Sequence, residues 1–253
     1  MAPVPLRIGI VCLWITAATL APGAAQAITV DGEISYTNDY VFRGISQTAG
    51  RSAGQIDVRA STRDGTFLGA FASTLGHTWQ RPWGNTGWDY EVEAYLGHRF
   101  DLSPAWSATL TGVSYWYVKG NVPMSEDYQE VSVAASYLDL WTVSAAVIPN
   151  AVRFNGDYRL GRYPAYVADT SVQFPLIGRL FLTAGAGYYI SAEVAGPEGS
   201  ATRGYWFGNA GLGFQFKSLR LDASYYVAEH PAQALFPYGR AGSRFAGTVS
   251  WHF

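Results

Sequence analysis

From Gly32 to the last residue, Phe253, apolar side chains recur at every second position with small or polar ones between them. A period of two is that of a β-strand whose two faces meet different surroundings. Twelve segments carry it: Gly32 to Phe42, Gln55 to Thr62, Thr66 to Thr74, Asp89 to Phe100, Ala105 to Val118, Tyr128 to Leu138, Trp141 to Pro149, Ala165 to Phe174, Arg179 to Ile190, Gly204 to Phe216, Leu219 to Ala228 and Arg244 to Phe253. The stretches between them alternate in length. Short ones, such as Arg63-Asp64-Gly65, Asp139-Leu140 and Lys217-Ser218, are separated by longer ones rich in Gly, Pro, Asn and Arg: Arg43 to Gly54, Leu75 to Trp88, Lys119 to Asp127, Asn150 to Pro164, Ser191 to Arg203 and Glu229 to Ser243. An even number of strands with alternating connections predicts an all-β fold: a single transmembrane, antiparallel up-and-down β-barrel of about twelve strands. Short periplasmic turns and long extracellular loops then put both termini in the periplasm.

A soluble barrel would show the same alternation turned inside out. The aromatic residues break the tie. One set, including Tyr40, Phe42, Tyr115 to Tyr117, Tyr188-Tyr189, Tyr205 to Phe207 and Tyr225-Tyr226, sits where strands meet long loops. A second, including Phe67, Phe100, Trp106, Trp141, Phe174, Phe181, Phe216 and Phe253, sits near the short turns. Two such belts match the aromatic girdles of membrane barrels.

The chain's start and end agree with this. Arg7, the apolar stretch Ile8 to Leu20 and the pattern Ala25-Gln26-Ala27 read as a secretory signal over residues 1–27, leaving 28–253 as the barrel. The sole cysteine, Cys12, falls within that signal. Phe245, Val249, Trp251 and Phe253 share one face of the last strand, with the chain ending on Phe253. Trp251 and Phe253 are expected to act as the terminal signal read by the barrel assembly machinery. The location expected is the outer membrane of a Gram-negative bacterium.

Hydrophobic residues make up 49% of the chain and charged ones 14%, yet no segment of the mature chain reaches the 18 apolar residues of a helical span. Beyond the signal, 16 basic against 19 acidic residues give a charge of −3 and no sign of a nucleic-acid partner.

The run Asn38-Asp39-Tyr40-Val41-Phe42-Arg43-Gly44-Ile45-Ser46-Gln47-Thr48 resembles the opening motif of the TorF-type family, proteobacterial outer-membrane proteins assigned as porins by class. The likeness continues through Gly65 to Ser73 and Tyr90 to Gly97, and more loosely over the mature chain. At Val118-Lys119-Gly120-Asn121 the chain departs from the Tyr-Pro-Gly associated with that family. The resemblance implies an outer-membrane barrel with a porin role and supplies no catalytic residue.

Twelve strands fall between barrels filled by side chains and those holding wide water channels, so a narrow pore for small solutes or ions is expected. A charge on the lipid face costs about 2–4 kcal/mol near the midplane, so the charged positions belong inside. Closure of the last strand onto the first brings Arg244 near Asp39 and Arg43. Asp39, Arg43, Asp57, Arg59 and Arg244 are the predicted constriction near the outer mouth, with Glu91 and Glu93 as further lining residues. An enzyme would need a nucleophile beside a base. The mature histidines, His77, His98, His230 and His252, stand in no such signature. No catalytic residue, cofactor or metal is expected; the partners are outer-membrane lipids, the assembly machinery and small solutes or ions. A non-conducting barrel acting as receptor or adhesin is the alternative.

Overall fold

A computed structural model describes residues 28–81, 84–118, 126–155, 158–191, 195–196, 199–200, 204–236 and 240–253. In chain order the elements are β1 (Thr29–Thr37), β2 (Val41–Phe42), β3 (Ile45–Ser46), β4 (Ala53–Ser61), β5 (Thr66–Arg81), β6 (Gly84–Asp101), β7 (Trp106–Val118), β8 (Tyr128–Tyr137), β9 (Trp141–Asn155), β10 (Tyr158–Pro175), β11 (Leu180–Ser191), β12 (Ala195–Gly196), β13 (Gly199–Ser200), β14 (Gly204–Phe216), β15 (Leu219–Ala228), the single helical turn α1 (Ala232–Leu235) and β16 (Arg244–His252). Twelve of the strands form a closed antiparallel barrel in the order β1-β16-β15-β14-β11-β10-β9-β8-β7-β6-β5-β4.

The outside is apolar and the inside polar, the reverse of a water-soluble barrel. On β8, Val131 and Val133 are each 53% exposed on the outer face while Glu130, Ser132 and Ser136 point inward. On β16, Phe245, Val249 and Trp251 point out and Arg244, Thr248 and Ser250 point in. Backbone groups along the seams pair with the neighbouring strand, as a wall facing lipid requires, with shifts of register at Thr74/His77, Arg159/Gly161 and Tyr163/Ala165.

Closure is completed by the C-terminus. Phe253 and Gly32 exchange both backbone hydrogen bonds, each 3.0 Å, and the Phe253 ring lies over Gly32. A Cβ on Gly32 would sit 2.6 Å from that ring and 2.9 Å from the Asp57 carbonyl oxygen, so the ring would have to move to admit it.

The structure corrects the predicted boundaries in two places. The first strand stops at Thr37 instead of running to Phe42. The predicted loops Leu75 to Trp88 and Asn150 to Pro164 are mostly strand, because β5–β6 and β9–β10 continue as paired ladders to Arg81/Gly84 and Asn155/Tyr158. The aromatic belts are also thinner than expected. Tyr115, Tyr189 and Tyr205 at the loop end, and Phe67 and Phe181 at the turn end, are buried inside. Trp116, Trp206, Tyr225, Trp106, Trp141, Phe174 and Phe253 remain on the outer surface. Adjacent residues on a strand face opposite ways, so a run such as Tyr205-Trp206-Phe207 cannot lie wholly in one belt.

Candidate functional site

Below Thr37 the chain leaves the wall and folds into the lumen. Arg43 and Gly44 take φ of 51° and 75° in succession, closing a two-residue hairpin in which Phe42 pairs with Ile45. Two consecutive left-handed residues are what a tight hairpin of this twist requires, and glycine adopts the conformation freely. Arginine does so at a cost of about 1–3 kcal/mol, so the surroundings must hold it there. Gly44 is enclosed as well: a Cβ would come within 2.8 Å of the Val227 carbonyl and 2.9 Å of Phe207 Cβ.

Two ion pairs pin this hairpin. The Asp39 carboxylate accepts hydrogen bonds from the Ser46 hydroxyl, the Thr48 hydroxyl at 2.9 Å and Arg244 Nη1 at 3.0 Å. Four polar groups from β16 and the inserted segment thereby converge in a place where Ser46 and Thr48 have no exposed surface. The Arg43 guanidinium reaches to the far side and donates two hydrogen bonds, both 2.7 Å, to Glu130 of β8. Around the barrel β8 is five strands from β1 in one direction and seven in the other, so the arginine spans the lumen. Burial alone would make the guanidinium easier to deprotonate, but the hydrogen bonds and charge of Glu130 outweigh it and raise its pKa. Such a bidentate charge pair, 14% and 6% exposed on its two sides, is the strong form of the contact. Tyr205 donates to the Arg43 carbonyl at 3.2 Å.

A second inserted segment backs the first. Ser46 N–H donates to the Arg240 carbonyl at 2.9 Å, and Arg240 donates to the Ser46 carbonyl at 3.0 Å and to Gln47 Oε1 at 2.7 Å. Leu235 and Ala232 of α1, with Ile45 and Ala241, pack on Ile148, Ala165, Val167, Tyr189 and Tyr205 of the wall. The loop end of the lumen thus holds an apolar core of its own.

The predicted constriction residues separate into two levels. Asp39, Arg43 and Arg244 are at the loop end, Asp39 joined to Arg244 and Arg43 to Glu130. Asp57 and Arg59 lie lower, level with Glu33 and Asp31, because β4 descends from Ala53 opposite Thr37. Asp57 accepts a hydrogen bond from Tyr95 at 2.8 Å, and Arg59 stacks over Phe67 at 3.9 Å from the ring centre. On β6 Glu93 is in register with Asp57 through Phe71, and Glu91 stands one pleat nearer the loop end, accepting from the Tyr117 hydroxyl at 3.3 Å. The rule that charged positions belong inside covers Glu130 without revealing its partner, and sequence reasoning missed Ser46, Gln47, Thr48, Tyr205 and Arg240. The dipeptide Arg43-Gly44 between Val41-Phe42 and Ile45-Ser46 was the available sign of a hairpin.

Toward the turn end the lining mixes small and polar side chains, Ser144 (which donates to Asp169 at 2.8 Å), Thr142, Thr183, Gly185, Asn209 and Thr248, with larger ones, Arg59 over Phe67 and Arg220 over Phe181. The small and polar ones are half-buried, in contrast to the sealed residues above.

The NanC porin structure superposes with a TM-score of 0.53 at 9% identity, covering 88% of this chain and 98% of that one. A chain solved in a study of in-meso crystallisation of membrane proteins gives 0.53 at 8% identity, covering 88% and 83%. The KdgM porin gives 0.49 at 8% identity, covering 90% and 99%. At such identities the likeness is one of fold, a closed barrel of the outer-membrane porin kind. Comparison with curated proteins returns no match. The family model for the bacterial proteins of unknown function called Gcw_chp matches residues 21–189, and the chain belongs to that family.

Proposed function

We propose that the protein is a porin-like channel of the Gram-negative outer membrane, exported by a signal over residues 1–27 and assembled through its C-terminal strand. On this reading the short turns face the periplasm and the long loops the exterior, and small solutes or ions pass by diffusion. The observation that carries it is a closed barrel with a largely polar, half-buried lining at the turn end and, at the loop end, a hairpin held across the lumen by side-chain contacts. Such a lining keeps water in the lumen, and a charged constriction discriminates by charge. The resemblance to the TorF-type porins supports the same role, a channel and not an enzyme.

A second reading is favoured by the same hairpin. Two ion pairs and an apolar core at the loop end suit a barrel that stays shut and offers its loops to a partner. Purified protein in planar bilayers decides between them. Discrete conductance steps are expected of the channel; their absence in folded protein across a range of voltages leaves the receptor.

A further inference from the structure

Four neighbouring strands, β5 to β8, build one wall of the lumen, and its composition differs from the rest. Inward positions fall into two rows: Ser73, Glu91 and Tyr117 in one, and Phe71, Glu93, Tyr115 and Tyr128 in the next. Glu130 follows one pleat below Tyr128. The Tyr115 and Tyr128 rings stack at 4.2 Å, with Phe42 of the inserted hairpin 6.5 Å from Tyr115. Carboxylates set among aromatic faces attract cations, from the charge and from the ring quadrupoles together.

One organic cation is already seated there. The Arg43 guanidinium pairs with Glu130 through both oxygens and lies 4.6 Å from the Phe42 ring centre. Beside it is a second acidic position, Glu91, whose Oε1 accepts from Tyr117 at 3.3 Å and on which the Arg240 charge also acts. Oε2 of Glu91 is buried without a hydrogen-bond donor among the described residues, and Glu91 is 1% exposed. Glu93 follows Glu91 on the same face of β6, one pleat nearer the turn end. Two adjacent carboxylates are stable in such a place when they share a proton or when a cation joins them.

We propose that this wall binds small organic cations of the guanidinium or amine type, and that Arg43 is a tethered occupant which such solutes displace from Glu130. The inference rests on the porin reading for its route: Glu93, Asp57 and Phe71 are half-buried toward the turn-end chamber, so a solute entering there meets the carboxylates before the hairpin. Displacement frees the Phe42-Arg43-Gly44 turn from its far anchor, which couples binding to opening.

The test is calorimetric titration of the purified full barrel in detergent micelles with arginine amide. Sodium acetate serves as the anionic control and calcium chloride as the metal control. Arg43→Ala vacates Glu130 and is expected to tighten arginine amide binding by about tenfold to a hundredfold, the worth of a hydrogen-bonded charge contact. Glu91→Gln with Glu93→Gln is expected to weaken it by about tenfold or more. Each variant is checked for the heat-modifiable gel shift of a folded barrel, and Arg43→Lys, which keeps the charge but loses the bidentate fork, replaces Arg43→Ala if that variant does not fold. Binding that is absent, indifferent to Arg43 or the carboxylates, equal for acetate, or supplanted by calcium overturns the inference. Because binding is read without current, a barrel that conducts but does not bind removes this inference alone. One that binds without conducting keeps it and removes the porin reading.

Discussion

The same twelve strands enclose two different chambers. At the loop end Ser46, Thr48, Tyr205 and Glu91 are sealed among inserted segments and an apolar core. At the turn end Thr142, Asp169, Thr183 and Asn209 remain half-buried, sharing the lining with the inward rings of Phe67 and Phe181 and the guanidinium groups of Arg59 and Arg220 that stack on them. Strand number sets the width of a barrel. What occupies that width is decided by the connections, and here two stretches of chain make the difference, Asn38 to Ser52 and the one that carries α1 and Arg240.

That contrast is broken most severely by losing the barrel itself. Deleting Phe253 removes both backbone hydrogen bonds to Gly32 and the ring that covers it. We expect the heat-modifiable gel shift to vanish and membrane yield to collapse; an unchanged shift would show that closure does not need the terminal residue. Gly44→Val attacks the loop-end chamber alone. A β-branched residue at φ 75° with its Cβ 2.8 Å from the Val227 carbonyl combines backbone strain with overpacking, about 3 kcal/mol or more in total. Proteolysis within 38–52 should become rapid while the barrel stays heat-modifiable. The smallest effect is expected of Arg99→Ala at the turn end. Arg99 pairs with Asp139 at 2.9 Å and Asp101 at 3.0 Å, but is 40% exposed, so water and salt screen both contacts. A change in unfolding free energy below about 1 kcal/mol is expected, measured by urea titration. A cost like that of the buried pairs would mean that the turn end is as tightly built as the loop end.

Most of the barrel was legible because each strand there divides apolar from aqueous surroundings, and alternation is the trace of that division. Past the twelve predicted segments β5–β6 and β9–β10 continue through stretches rich in Gly, Pro, Asn and Arg. Alternation then fades, and Leu75 to Trp88 and Asn150 to Pro164 read as loops. The opposite error occurred at the first strand. Tyr40 and Phe42 keep the apolar parity past the end of β1, so nothing in the period marks Thr37 as the last wall residue. Closure of the last strand onto the first brought Asp39 and Arg244 together on paper, and they meet at 3.0 Å. Arg43 with Glu130 was beyond that reasoning. Parity tells which face a residue takes, not which of eleven other strands a loop will reach once it turns inward.

The central claim is that the pinned hairpin is the constriction, and unitary conductance in planar bilayers tests it most directly. Replacing both Arg43 and Glu130 by Ala removes the cross-lumen anchor without leaving a buried charge unpaired, a fault that on its own costs about 3–5 kcal/mol. The double variant should remain folded and pass a larger unitary current than the wild type. Equal currents from the two proteins would place the constriction elsewhere in the barrel and contradict the account.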